Sequence, residues 1–125
     1  MGVLRLLVGG LLVATAVHYT DNWLSIEDYA PREGFVADNP GVLVAVWLGF
    51  AVFGVLGYRE LRGSPSVRAS LLLAVFSASG LITLTHLRFE GNDWSAWQWA
   101  SVVIDGVLGL ALLITAFAWL RAARV

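Results

Sequence analysis

Four long apolar blocks constrain the fold of this chain more than any other feature of its sequence. They are Val3–Tyr19, Val42–Tyr58, Ala69–Leu87 and Ala100–Leu120, and each holds 17 to 21 residues. A helix needs about 20 apolar residues to cross a hydrocarbon core roughly 30 Å thick. Charged residues make up only 14% of the chain, against about 25% in soluble domains. We therefore expect one all-α domain over residues 1–125, a four-helix transmembrane bundle in contact with the lipid bilayer.

The distribution of charge predicts how the bundle is oriented. The termini and the connection between the second and third blocks carry an excess of arginine: Arg5, Arg59, Arg62, Arg68, Arg121 and Arg124, with Glu60 as the one acid among them. The other two connections hold seven acids and two arginines. Because short cytoplasmic loops carry the basic excess, we expect both termini in the cytoplasm and a location in the cell membrane.

Total charge and cysteine content exclude several classes of function. The net charge is −1, which argues against nucleic acid as a partner because binding to its phosphates needs a basic surface. The chain has no cysteine, so disulfide bonds, thiolate metal sites and cysteine catalysis are excluded. Neither observation identifies a ligand.

Local signals predict where the helices begin. Asn39-Pro40 and Ser64-Pro65 have the N-cap and proline pattern of a helix start, and Ser95 with Gln98 has the spacing of a capping box. Three tryptophans at the start of the fourth block are typical of a membrane–water interface: Trp94, Trp97 and Trp99. In the first outer loop, the amphipathic stretch Asn22–Tyr29 predicts a short interfacial helix.

A repeated Thr-x-x-His pattern marks the outgoing ends of two blocks. Thr15 precedes His18 in the first block, and Thr83 precedes His86 in the third. An acid follows each histidine, Asp21 after His18 and Glu90 after His86, at spacings that share one side of a helix. These two ends are expected to face each other near the outer surface.

Asp105 is a carboxyl group inside the fourth block, where a charge is costly and usually faces the bundle interior with a partner. Counting residues from the ends of the blocks predicts two polar layers. The deeper layer comprises Thr15, Trp47, Thr83 and Asp105, with the hydroxyls and the indole donating to the carboxylate. The upper layer comprises His18, His86, Asp21 and Glu90. The candidate ligand-binding residues are His18, His86, Asp105, Trp47, Thr15 and Thr83, and the candidate metal ligands are the four of the upper layer.

Several functions fit this pattern, and the sequence leaves them open. The favoured one is a non-catalytic site near the outer face for a small amphipathic ligand or a metal ion. An accessory or scaffolding subunit of a larger membrane complex, or of a homo-oligomer, is the main alternative, since glycine-rich faces suit helix packing. A haem between His18 and His86, a proton-coupled pathway and acid–base catalysis are further alternatives. The plain structural interpretation is that the histidines are ordinary interfacial residues and that Asp105 only joins two helices.

Overall fold

The computed structural model describes residues 2–26, 35–62, 64, 66–88 and 94–123. Over these residues the chain is helical and contains no strand. Its helices are α1 (Gly2–Leu24), α2 (Phe35–Asp38), α3 (Gly41–Leu61), α4 (Val67–Leu81), which continues as a 3-10 helix (Ile82–Arg88), and α5 (Ala96–Ala122). Four segments are long and apolar enough to cross a membrane: α1, α3, α5 and Val67–Leu87. These segments confirm the all-α prediction and indicate a multi-pass membrane protein.

The four long helices form a closed ring. Helix α1 packs against α3 and α5, and α4 packs against the same two helices from the other side. Consecutive long helices are therefore antiparallel neighbours, as short connections favour. At one end of the bundle lie Arg5, Arg59 and Arg121, and we call this the Arg end; the end that holds His18 and Trp94 is the His end.

The two halves of the bundle have different interiors. The apolar core lies toward the Arg end and consists of Leu4, Val8, Leu11, Leu61, Ala69, Leu73, Phe76, Leu112 and Ala116. Toward the His end the interior holds seven buried polar side chains: Thr15, His18, Asn22, Thr83, Gln98, Ser101 and Asp105. Three further buried serines on α4, Ser70, Ser77 and Ser79, each donate back to the preceding turn. Burying polar groups is unfavourable unless they are hydrogen-bonded, so this half of the bundle is where a function other than packing is expected.

The structure tests the three predicted helix starts. Ser95 and Gln98 form the full capping box, each side chain bonding the backbone of the other. The Ser64 prediction is wrong by two residues: Ser66 is the N-cap of α4, and its hydroxyl accepts from the Ala69 amide. Asn39 does not cap α3 either, because its side-chain amide donates to Phe35 O at 3.1 Å and α3 begins after Pro40.

The first span is longer than its apolar block. Helix α1 continues through Asn22 to Leu24, so the residues predicted to open an interfacial helix extend the first span by more than one turn. Asp28 and Tyr29 lie outside the described residues, and the predicted interfacial helix stays a prediction. The extension carries Asn22 into the bundle interior, where it is 4% exposed.

Glycines set how closely α4 approaches α5. A Cβ at Gly109 would lie 2.8 Å from Ser77 O, and one at Gly80 would collide with the carbonyl oxygen of Asp105. Small residues permit such approach between membrane helices. The contact at Gly80 places the backbone of Asp105 directly against α4, at the boundary between the apolar core and the polar half.

Candidate functional site

The buried face of α1 is a heptad-like stripe that changes from apolar to polar along its length. Its buried residues are Leu4, Val8, Leu11, Thr15, His18, Tyr19 and Asn22. Residues three and four apart share one face of a helix, so the spacing that directs the leucines inward also directs Thr15, His18 and Asn22 inward. The buried face of α5 brings Ser101 and Asp105, four residues apart, to the interior in the same way.

His18 is the centre of the polar half. It is fully buried, and its Nδ1 lies 3.0 Å from Ser101 Oγ. The Ser101 hydroxyl donates its proton to Gln98 O at 2.9 Å. A hydroxyl has one proton to donate, so the contact is made by His18 donating its Nδ1–H to Ser101. This bond selects the imidazole tautomer in which Nε2 is an acceptor.

Asp105 lies beside this hydrogen bond without joining it. Its Oδ2 is 3.8 Å from His18 Nδ1, and both side chains are fully buried. That distance is too long for a hydrogen bond but short enough for electrostatic attraction to an imidazolium. Over the described part of the chain, neither carboxyl oxygen of Asp105 has a hydrogen-bond partner. A buried carboxyl group in this state is a costly arrangement.

The second imidazole lies next to the first. The ring centroids of His18 and His86 are 5.5 Å apart and the rings are tilted by 43°. The Asn22 side-chain amide lies 3.4 Å from His86 Nε2, and because an amide NH₂ only donates, Nε2 accepts. The Trp94 ring lies 6.2 Å from His86 at a near-perpendicular angle. The buried Oδ1 of Asn22 has no hydrogen-bond partner among the described residues.

The deeper polar layer is organised differently from the expectation. The Trp47 indole donates to Thr15 Oγ1 at 3.1 Å, and the Thr15 hydroxyl donates to Leu11 O at 2.6 Å. The Thr83 hydroxyl donates to Gly80 O, also at 2.6 Å. None of these three donors reaches Asp105. The two hydroxyls bond back to the preceding turn, as hydroxyls in a helix readily do, and the indole donates to Thr15 instead. Trp47 and Thr15 instead link α3 to α1.

The candidate metal ligands are only partly brought together. His18 and His86 are neighbours, but Asp21 is half-buried and lines a groove of about 380 Å³ between α1 and α5 together with Val17 and Trp97. Glu90 lies outside the described residues. In the described ranges, no three His, Asp or Glu side chains are grouped so as to hold a metal ion.

Two residues of the polar cluster were not singled out from the sequence. Ser101 is four residues before Asp105 and Asn22 is four residues after His18. Each therefore shares a helix face with a candidate site residue. Helical periodicity applied outward from His18 and Asp105 identifies both. The apolar block ends at Tyr19, three residues before Asn22, so block length alone predicts that Asn22 lies in the loop.

Comparison with known proteins adds no assignment. No protein-family model matches the chain, and no curated protein or solved structure matches it.

Proposed function

We propose that the chain is a multi-pass protein of the cell membrane, with both termini in the cytoplasm, that binds a small amphipathic ligand at the His end. The orientation is supported by the arginine excess at the Arg end, since basic residues favour the cytoplasmic side. The His end then opens toward the outer leaflet. Its buried polar cluster, formed by His18, His86, Asp105, Asn22 and Ser101, is the ligand site.

The observation that carries this proposal is a surplus of buried acceptors. Both oxygens of Asp105 and the Oδ1 of Asn22 lack hydrogen-bond donors over the described residues. An unpaired buried acceptor costs about 1–3 kcal/mol, and more when it is charged. A ligand whose head group supplies donors, such as an ammonium or a hydroxyl group, would offset that cost. Its apolar part would lie along the lipid-facing helices.

A metal ion or a haem is less well supported. In the described ranges no three His, Asp or Glu side chains are grouped so as to hold a metal ion, and the Nε2 of His86 already contacts the Asn22 amide at 3.4 Å. His18 is 0% exposed, and a porphyrin between the two rings would require the helices to separate. An amphipathic ligand needs only its head group to reach the cluster.

The test is a titration of the detergent-purified protein with a long-chain primary amine, the matching alcohol, the matching methyl ether and Zn²⁺. Trp94 lies in contact distance of the His86 ring, so tryptophan fluorescence reports occupancy. We expect the amine and the alcohol to bind and the ether, which lacks a donor, to bind at least tenfold more weakly. Asp105→Asn is expected to weaken amine binding about tenfold or more, because a charge-assisted hydrogen bond contributes about 1.5–3 kcal/mol.

Thr115→Val is the matched control for Asp105→Asn. Thr115 lies on the same helix and its hydroxyl donates only to Ala111 O at 2.8 Å, so this variant should bind the amine like the wild type. Equal loss in both variants, or equal binding of amine and ether, would contradict the proposal. Tight Zn²⁺ binding abolished by either His→Ala substitution would favour the metal site instead.

An accessory subunit is the second candidate, and one observation favours it. Helix α3 is the span that the other helices cover least, and a Cβ at Gly49 would meet no atom within 4 Å. A partner helix or a second copy of the chain would fit against such a face. Recovery of a stoichiometric larger complex, unaffected by Asp105→Asn, would support this candidate over ligand binding.

A further inference from the structure

We infer that the Arg end holds a second site, distant from the polar cluster, that binds a phosphate-bearing anion between α1 and α3. The site is a cavity of about 320 Å³ lined by Gly2, Arg5, Tyr58 and Arg62. This volume falls within the range of roughly 300–1,000 Å³ found for small-molecule sites. The anion is the head group of an acidic phospholipid or a free phosphate.

Over the described part of the chain, no acidic side chain pairs with the charges that line this cavity. Arg5 and Arg62 are both exposed, and over the described residues neither makes an ion pair. Glu60, the acid nearest to Arg62 in sequence, is directed to another partner, since its Oε1 lies 3.4 Å from Arg68 Nε. Among the described residues, two guanidinium groups therefore line one cavity and no carboxylate does.

The other lining groups also favour an anion. Tyr58 is half-buried and supplies a phenolic O–H donor. Helix α1 begins at Gly2, and the unpaired amides of a helix N-terminus attract negative charge. Arginine is the side chain best suited to phosphate because its planar group can donate two parallel hydrogen bonds. Residues that carry guanidinium, phenol and amide donors thus line one space.

The position of the cavity matches that of lipid phosphates. It lies at the ends of two membrane-spanning helices, where the head groups of a bilayer are found. Basic residues at this level attract acidic lipids by about 1 kcal/mol each. This site does not depend on ligand binding at the His end.

The test uses the full-length protein in a neutral detergent, titrated with phosphatidylglycerol or phosphatidylcholine and followed by native mass spectrometry. We expect selective retention of phosphatidylglycerol. Arg5→Gln and Arg62→Gln should each weaken its binding about fivefold, the double variant more than either one, and Tyr58→Phe to a smaller extent. Arg121→Gln is the matched control, since Arg121 is an exposed arginine at the same end that does not line the cavity.

Two outcomes would overturn the inference. One is an equal loss of binding in Arg121→Gln, which would indicate diffuse attraction to the whole Arg end. The other is equal retention of the two lipids. Competition with millimolar inorganic phosphate separates the two sources of the anion: displacement of the lipid supports a site for free phosphate, and retention supports a site for the lipid head group. Because Arg5, Arg62 and Arg121 are exposed and Tyr58→Phe removes only a hydroxyl group, circular dichroism is expected to show an unchanged fold.

Discussion

Gly80 provides the sharpest test of how the helices are held together. A Cβ added at this position would collide with the carbonyl oxygen of Asp105 and lie 2.8 Å from Leu11 Cδ1. The leucine can rotate away, but a backbone carbonyl cannot, so Gly80→Ala must push α4 away from α5. Overpacking of this kind costs about 1–3 kcal/mol. We expect a cost near the upper end of this range for Gly80→Ala, because the atom in the way is a backbone carbonyl oxygen.

Two effects of opposite sign act on this variant. Replacing a helical glycine by alanine contributes about 0.5–1 kcal/mol of stability. The net expectation for Gly80→Ala is therefore a loss of about 2 kcal/mol in the free energy of unfolding. Gly49→Ala is the matched control, because a Cβ there meets nothing within 4 Å and only the favourable effect remains.

Reversible unfolding in mixed micelles of dodecylmaltoside and SDS, followed by circular dichroism, measures both variants. Gly80→Ala should unfold at a lower SDS fraction than the wild type, and Gly49→Ala at the same fraction or a higher one. Gly80→Ala is thus expected to be less stable than the wild type, and Gly49→Ala is not. A Gly80→Ala protein as stable as the Gly49→Ala protein would refute the close approach of α4 and α5 at Asp105.

Three further substitutions test individual hydrogen bonds. Ser101→Ala removes the acceptor of His18 Nδ1–H and should lower the free energy of unfolding by about 1–3 kcal/mol. The imidazole tautomer ratio of His18, measured by ¹⁵N NMR, should also change. An unchanged ratio would mean that this bond does not set the tautomer. Trp47→Phe removes only the donor to Thr15 and should cost about 0.5–1.5 kcal/mol in the same unfolding assay, and no loss would show that this link between α1 and α3 is dispensable. Ser95→Ala removes one half of the capping box and should cost about 1 kcal/mol, while a neutral result would indicate that α5 needs no cap.

The buried polar cluster links the helices of the bundle, whatever ligand it binds. His18 links α1 to α5 through Ser101 at 3.0 Å, and Asn22 links α1 to the end of the third span through His86 at 3.4 Å. These bonds hold three helices together at the His end, where the apolar core is absent. Asp105 takes no part in a hydrogen bond among the described residues, so it adds little to this linkage. Links between helices therefore account for the two histidines, but they do not account for the buried carboxyl group of Asp105.

The ends of the helices differ in how well the sequence predicts them. The capping box at Ser95 is specified by two residues at a fixed spacing, and it is present as predicted. Ser64 and Ser66 are both residues of a type that caps helices, and it is Ser66 that caps α4 by accepting from the Ala69 amide. Helix α1 passes its apolar limit at Tyr19 because Asn22, though polar, lies on the buried stripe.

The sequence by itself determined the presence of four spans, the polarity of the half that contains His18, and the helix face that Thr15 shares with His18. These follow from block length and from a period of 3.6 residues, both of which are local properties of the chain. Only the tertiary structure decided that His18 bonds Ser101, that Trp47 bonds Thr15, and that Asp105 is left beside the imidazole at 3.8 Å. Depth counted along a helix is known to about one turn, or 5.4 Å, whereas a hydrogen bond tolerates only a few tenths of an ångström. The rotation and axial offset of each helix, set by glycine contacts such as that at Gly80, supply the missing precision.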